Sequence, residues 1–129
     1  MERFFFALGA ALAALAVAAG IFGVTELEGL VSGDGLALWE KAIRYQMYHA
    51  IALVFIAWGI TQWWNRANTL RAAGWFFTLG IILYSGVSYL LVLLGNVMLG
   101  PVPLSYLPLG GGVALILGWI ALMTAAWRE

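Results

Sequence analysis

The stretch Lys41–Trp64, KAIRYQMYHAIALVFIAWGITQWW, decides how this chain is read. About 20 residues at 1.5 Å each match a hydrocarbon layer of about 30 Å, so the run is long enough to cross a bilayer. Its first half nevertheless carries Arg44, Gln46 and His49. A polar or ionisable side chain at membrane depth is costly, so it faces a bundle interior or a cavity and has a partner. The rest of the chain reads as further helices that cover this face.

Composition agrees that lipid is the solvent. Of 129 residues, 64% are hydrophobic and only 9% charged. A soluble domain so apolar would leave more apolar surface than water tolerates. The length is that of one domain, residues 1–129. Net charge is zero, so no basic field points to nucleic acid. The chain has no cysteine, which excludes disulfides, thiolate nucleophiles and Cys-ligated metals.

Four apolar runs predict an all-α membrane protein, a four-transmembrane-helix bundle with helices at about 4–24, 39–64, 69–95 and 109–127. The Ala-rich first run shares its start with signal peptides but exceeds their 7–15-residue apolar core, so it is read as a retained span. Gly9, Ala13, Ala16 and Gly20 give it a smooth face for close helix packing. Residues 25–38 form an acidic loop with Glu26, Glu28 and Asp34, lacking calcium-loop spacing and compatible with a short interfacial helix. Tryptophans at both ends of the second helix resemble an aromatic belt. A tight turn, 65–68, leads to a third helix bearing Tyr84, Ser85, Ser88 and Tyr89. Pro101, Pro103 and Pro108 make 96–108 a non-helical loop, with Pro108 in the first turn of the last helix. Gly110, Gly111 and Gly112 then permit a close approach, continued by a small face of Ala114, Gly118, Ala121 and Ala125.

Four spans place both termini on one side, with Arg3, Arg66, Arg71 and Arg128; the other side has Lys41 and Arg44. Positive residues favour the cytoplasm, so both termini are expected to be cytoplasmic, in the bacterial inner (cytoplasmic) membrane.

The candidate intramembrane polar cluster is Arg44, Tyr45, Gln46, His49, Ser85, Ser88 and Tyr89. His49 lies eight residues from Lys41, about 12 Å along the axis, near the midplane. A neutral imidazole there holds a hydrogen bond on each nitrogen, and Ser85, Ser88 or Tyr89 are the expected partners. The adopted reading is interhelical glue; the sharper one makes His49 a proton relay or ligand contact. Arg44 is expected to snorkel outward or pair with Glu40. One histidine, no cysteine and no acid deep within a span leave no metal or cofactor site expected.

These pieces occur in a recognisable order. Gly20-Ile21-Phe22-Gly23 with Leu27, Tyr45-Gln46 with His49-Ala50, and Ala73-Gly74 come first. Gly80, Ser85-Gly86, Tyr89-Leu90, Leu99-Gly100, Pro108 with Gly110-Gly111, and Gly118-Trp119 follow. Together they resemble a small four-span membrane family catalogued as domain of unknown function 423, whose eukaryotic relatives are called transmembrane protein 256. The resemblance covers nearly the whole chain and implies four helices and a membrane address, without a reaction. Where the family pattern has a histidine and a glycine after the first helix, this chain has Thr25 and Glu26.

Three classes of function remain. A structural or accessory bundle, packing against membrane lipid, a larger membrane protein complex or a homo-oligomer, is the adopted expectation, favoured by short loops and small-residue faces. A small transporter or channel is the alternative, using the polar face of the second helix; the first helix lacks the acidic residue that proton-for-cation exchange needs. An enzyme is not expected, because no nucleophile–base pair or paired carboxylates occur.

Overall fold

The computed structural model describes residues 2–127. Arg128, counted in the orientation argument, lies outside them. The chain folds into four helical rods. The first is α1 (Glu2–Phe22), extended by a π turn over Gly23–Leu27. The second is α2 (Gly33–Gln62), with 30 residues the longest α-helix. A 3₁₀ turn, Trp64–Arg66, leads into the third rod: α3 (Ala67–Ile81), a π turn (Ile82–Gly86) and α4 (Val87–Leu94). A hairpin of β1 (Met98–Leu99) and β2 (Val102–Pro103) and a 3₁₀ turn, Leu104–Tyr106, precede α5 (Leu107–Trp127).

The first loop is shorter than its glycines and acids imply. The π turn carries the first rod to Leu27, Gly29 turns the chain at φ +89°, and α2 starts at Gly33. Ser32 explains that early start: its Oγ accepts from the Gly35 N–H at 3.0 Å, the side-chain cap that satisfies one orphan donor of a helix start. The expected loop 25–38 is therefore corrected to a five-residue connection, 28–32, and the second helix gains its first two turns. The expected non-helical loop 96–108 is corrected in its second half: the 3₁₀ turn Leu104–Tyr106 and the start of α5 at Leu107 make 104–108 helical, while 96–103 pairs as a hairpin, Met98 opposite Pro103 and Leu99 opposite Val102. Gly100, at φ +60°, sits at the first central position of its two-residue turn, a place that favours glycine.

Packing is centred on α2, which touches α1, α3, α4 and the second π turn, while α5 packs chiefly on α3 and that turn. Phe5, Leu53, Ile56, Leu70 and Phe77 are fully buried between them. Small residues set the spacing. A Cβ on Gly9 would lie 2.6 Å from the Ala50 carbonyl oxygen, and one on Gly118 2.6 Å from the Phe77 ring. A Cβ on Gly111 would strike the backbone nitrogen of Tyr84.

The outward faces are apolar: Phe6, Leu15, Phe55, Leu79, Ile116 and Met123 are all exposed. By length and composition three helical stretches suffice to cross a membrane: Glu2–Leu27, Trp64–Leu94 and Leu104–Trp127. Only 17% of the apolar window in the first of these is buried, a surface that water would not tolerate and lipid does. α2 is not among the three, because the polar residues that mark it also lower its hydropathy.

The backbone contact at Gly111 makes a prediction. Gly111→Leu should destabilise the bundle by about 1–3 kcal/mol or more, as over-packing does. Gly110→Ala, where a Cβ meets nothing within 4 Å, should be nearly silent. Thermal unfolding of both variants in detergent measures the contrast; equal midpoints would disprove the close approach.

Candidate polar site inside the bundle

One face of α2 presents Trp39, Ala42, Gln46 and His49 to the interior, at steps of three, four and three residues. This is the spacing that keeps a single helical stripe facing its neighbours. Each position makes a polar connection to another helix. Trp39 Nε1–H donates to the Ala19 carbonyl of α1 at 2.8 Å. The Ala42 carbonyl accepts from Ser85 Oγ of the second π turn at 2.7 Å. Gln46 Nε2 donates to the Leu12 carbonyl of α1 at 2.8 Å, and its Oε1 accepts from Tyr89 Oη of α4 at 2.7 Å. His49 reaches α5.

The imidazole geometry fixes a tautomer. Nδ1 lies 2.6 Å from the Tyr45 carbonyl, which only accepts, so Nδ1 carries the proton. Nε2 is then bare and accepts from Trp119 Nε1–H at 3.0 Å. Both ring nitrogens are engaged in the neutral form. Phe77 and Trp119 wall the ring, with centroids 5.3 and 5.7 Å away, and His49 is 4% exposed.

The structure buries Gln46, His49, Ser85 and Ser88 inside the bundle and joins Gln46 to Tyr89, and it corrects three expectations. First, none of Ser85, Ser88 and Tyr89 bonds His49. Ser85 reaches Ala42, Ser88 returns to the Tyr84 carbonyl on its own rod at 2.6 Å, and Tyr89 goes to Gln46. The partner is Trp119. Second, Arg44 is not in the cluster: it is exposed and lines a cleft with Glu40 and Glu28 near the 28–32 connection. Tyr45 contributes its carbonyl, while its ring is 36% exposed and packs on Tyr84 with centroids 4.6 Å apart. Third, Trp39 is no belt residue: it is 5% exposed and packs against Phe22 and Tyr89.

Sequence reasoning thus missed two indole donors, Trp39 and Trp119. The available signal was chemical: a buried tryptophan N–H usually finds an acceptor, and histidine and carbonyl groups are the acceptors at hand. Among the described residues, no group of three or more His, Cys, Asp or Glu side chains is placed to hold a metal.

Long apolar rods, lipid-facing side chains and an internal polar seam define a small helical membrane protein. The chain belongs to the family described as "Protein of unknown function (DUF423)", whose model matches residues 16–111. It is 41% identical over 126 residues to a UPF0382 membrane protein of Staphylococcus aureus, covering 98% of this chain and 97% of that one. It is 37% identical over 124 residues to the UPF0382 membrane protein YwdK of Bacillus subtilis, covering 96% of each. A UPF0382 membrane protein of Staphylococcus haemolyticus is 35% identical over 126 residues. No solved structure matches the chain.

The two connections can be tested separately. A double-mutant cycle of His49→Leu and Trp119→Phe should give a coupling of about 0.6–1.7 kcal/mol, the range for hydrogen bonds between membrane helices. Gln46→Leu should cost more than either single change, because it leaves both the Tyr89 hydroxyl and the Leu12 carbonyl without their partner. Equilibrium unfolding in detergent reads both; a coupling near zero would remove Trp119 as the partner.

Proposed function

We propose that the chain is a four-span bundle of the bacterial cytoplasmic membrane, with both termini cytoplasmic, acting as a non-enzymatic structural or accessory element against lipid or a larger membrane assembly. The observation that carries this reading is the closure of the polar seam. Gln46, His49, Ser85, Ser88 and Tyr89 each spend their polar atoms on the protein itself. A transport site needs polar groups free to exchange partners; here the lone pair of His49 Nε2 is held by Trp119. Glue is what remains, and intramembrane polar residues serve that role through bonds of this kind.

α2 is read as the fourth span because its polar side chains are turned inward against its neighbours, which removes most of their cost in lipid. The charge pattern supports the orientation. Arg3 of α1 shares a cleft with Trp58 and Thr61 of α2, and Phe4 packs on Trp75 of α3. The start of α1, the 3₁₀ turn after α2 and the start of α3, which hold Arg3, Arg66 and Arg71, therefore lie at one end. Lys41 and Arg44 lie towards the other.

The native chain lacks cysteine, so single cysteines report topology cleanly. A cysteine at Ser32 should be labelled by a membrane-impermeant thiol reagent in intact cells, and one appended after Glu129 only after permeabilisation. The reverse pattern would overturn the orientation, and labelling of both in intact cells would overturn the even number of spans. Gentle purification should retain a stoichiometric protein partner or a homo-oligomer; a bound transport substrate in its place would refute the accessory role.

A further inference from the structure

The loop end of α1 and α2 holds two open spaces that share a wall. One is a cleft of ≈ 530 Å³ bordered by Gly20, Val24, Glu28, Trp39, Glu40 and Arg44. The other is an apolar groove of ≈ 470 Å³ bordered by Val17, Gly20, Ile21, Val24 and Thr25. Gly20 and Val24 belong to both. A Cβ on Gly20 would meet nothing within 4 Å, so the passage from cleft to groove is open there. Trp39 forms a rigid wall, its indole tied to Ala19 and its ring packed on Phe22 and Tyr89.

The chemistry of this space changes along its length. The cleft is bordered by two carboxylates and one guanidinium. Glu40 and Arg44 are one helical turn apart, a spacing at which opposite charges usually meet. Yet among the described residues Glu28, Glu40 and Arg44 make no ion pair with one another. Beside it, Val24, Ile21 and Val17 run along an exposed face of the first rod for about 10 Å of helix axis. Charges of both signs beside an apolar groove complement an amphiphile whose head carries both signs.

We propose that the cleft and groove together bind one phospholipid with a zwitterionic, primary-ammonium headgroup. Its phosphate sits on Arg44, its ammonium on Glu28 and Glu40, and an acyl chain lies along Val24, Ile21 and Val17. Guanidinium recognises phosphate oxygens with paired N–H donors, and a primary ammonium offers three donors to carboxylates. Two acids against one base disfavour a net-anionic headgroup, and a quaternary ammonium has no N–H to donate. This deepens the structural reading above and rests only on its placement of the 28–32 connection at a membrane surface.

Native mass spectrometry of the full-length protein in mild detergent tests it, by titration with synthetic phosphatidylethanolamine, phosphatidylcholine and phosphatidylglycerol of identical acyl chains. One phosphatidylethanolamine should be retained, with the other two binding about tenfold more weakly, the loss expected for one charge-assisted hydrogen bond. Arg44→Gln and Glu40→Gln should each weaken phosphatidylethanolamine binding about tenfold, and Gly20→Leu should block it by closing the passage. Glu26→Gln, outside the cleft, should change nothing. Circular dichroism checks that the variants fold; Glu40 and Arg44 are exposed, so their variants carry the test even if Gly20→Leu does not fold. Equal binding of the three lipids, unchanged affinity in Arg44→Gln and Glu40→Gln, or tighter phosphatidylglycerol binding would each overturn the site. None of these outcomes touches the topology, which thiol labelling reads independently.

Discussion

Gln46 uses both ends of one amide to hold three helices. Its nitrogen donates to Leu12 of α1 and its oxygen accepts from Tyr89 of α4, while its backbone belongs to α2. In hydrocarbon there is no water to take over a lost bond, so an unpaired polar group costs several kcal/mol. The same constraint orders the rest of the seam. Trp39 ties α2 to α1, Ser85 ties the second π turn to α2, and Trp119 ties α5 to His49. Apolar side chains alone provide no such register, because lipid tails are as apolar as leucine and sliding one helix past another costs little.

Polar bonds of under 3 Å require close backbones, and small residues supply them. Gly9 lets α1 rest on the Ala50 carbonyl, near enough for the Leu12 and Ala19 carbonyls to meet Gln46 and Trp39. Gly118 admits the Phe77 ring, which in turn walls His49 beside Trp119 on the next turn of packing. The small face and the polar seam are thus one design: van der Waals contact brings the helices in, and the hydrogen bonds select which contact is made.

Much of this was legible in the residues. Apolar runs located the rods, the Gly and Ala spacings located the close faces, and the depth of His49 placed it inside. What escaped had physical causes. The start of α2 depends on the Ser32 cap, while Gly29, Gly33, Gly35 and three acids nearby argue for a loop. Tryptophan near a span end reads as an interfacial anchor, and only tertiary packing shows that Trp39 is buried. His49 and Trp119 are 70 residues apart, so no local period links them. Arg44 and Gln46 are two residues apart and so face different ways on a helix: one joins the seam and the other the surface cleft.

The π turn over Ile82–Gly86 was the least legible element, and two contacts meet at it. A π turn inserts one residue into an α-helix and so rotates everything beyond it. Within that turn Ser85 is aimed at the Ala42 carbonyl of α2. On its other side the Leu83–Tyr84 backbone meets Gly111, where no side chain intervenes. Immediately beyond, the rotated α4 brings Tyr89 to Gln46. A regular helix through 82–86 would carry Tyr89 about 100° around the axis relative to α3, and the rod could not keep both Phe77 against Gly118 and Tyr89 on Gln46. The irregular turn is therefore the device by which one rod packs α5 with its first half and closes the α2 seam with its second.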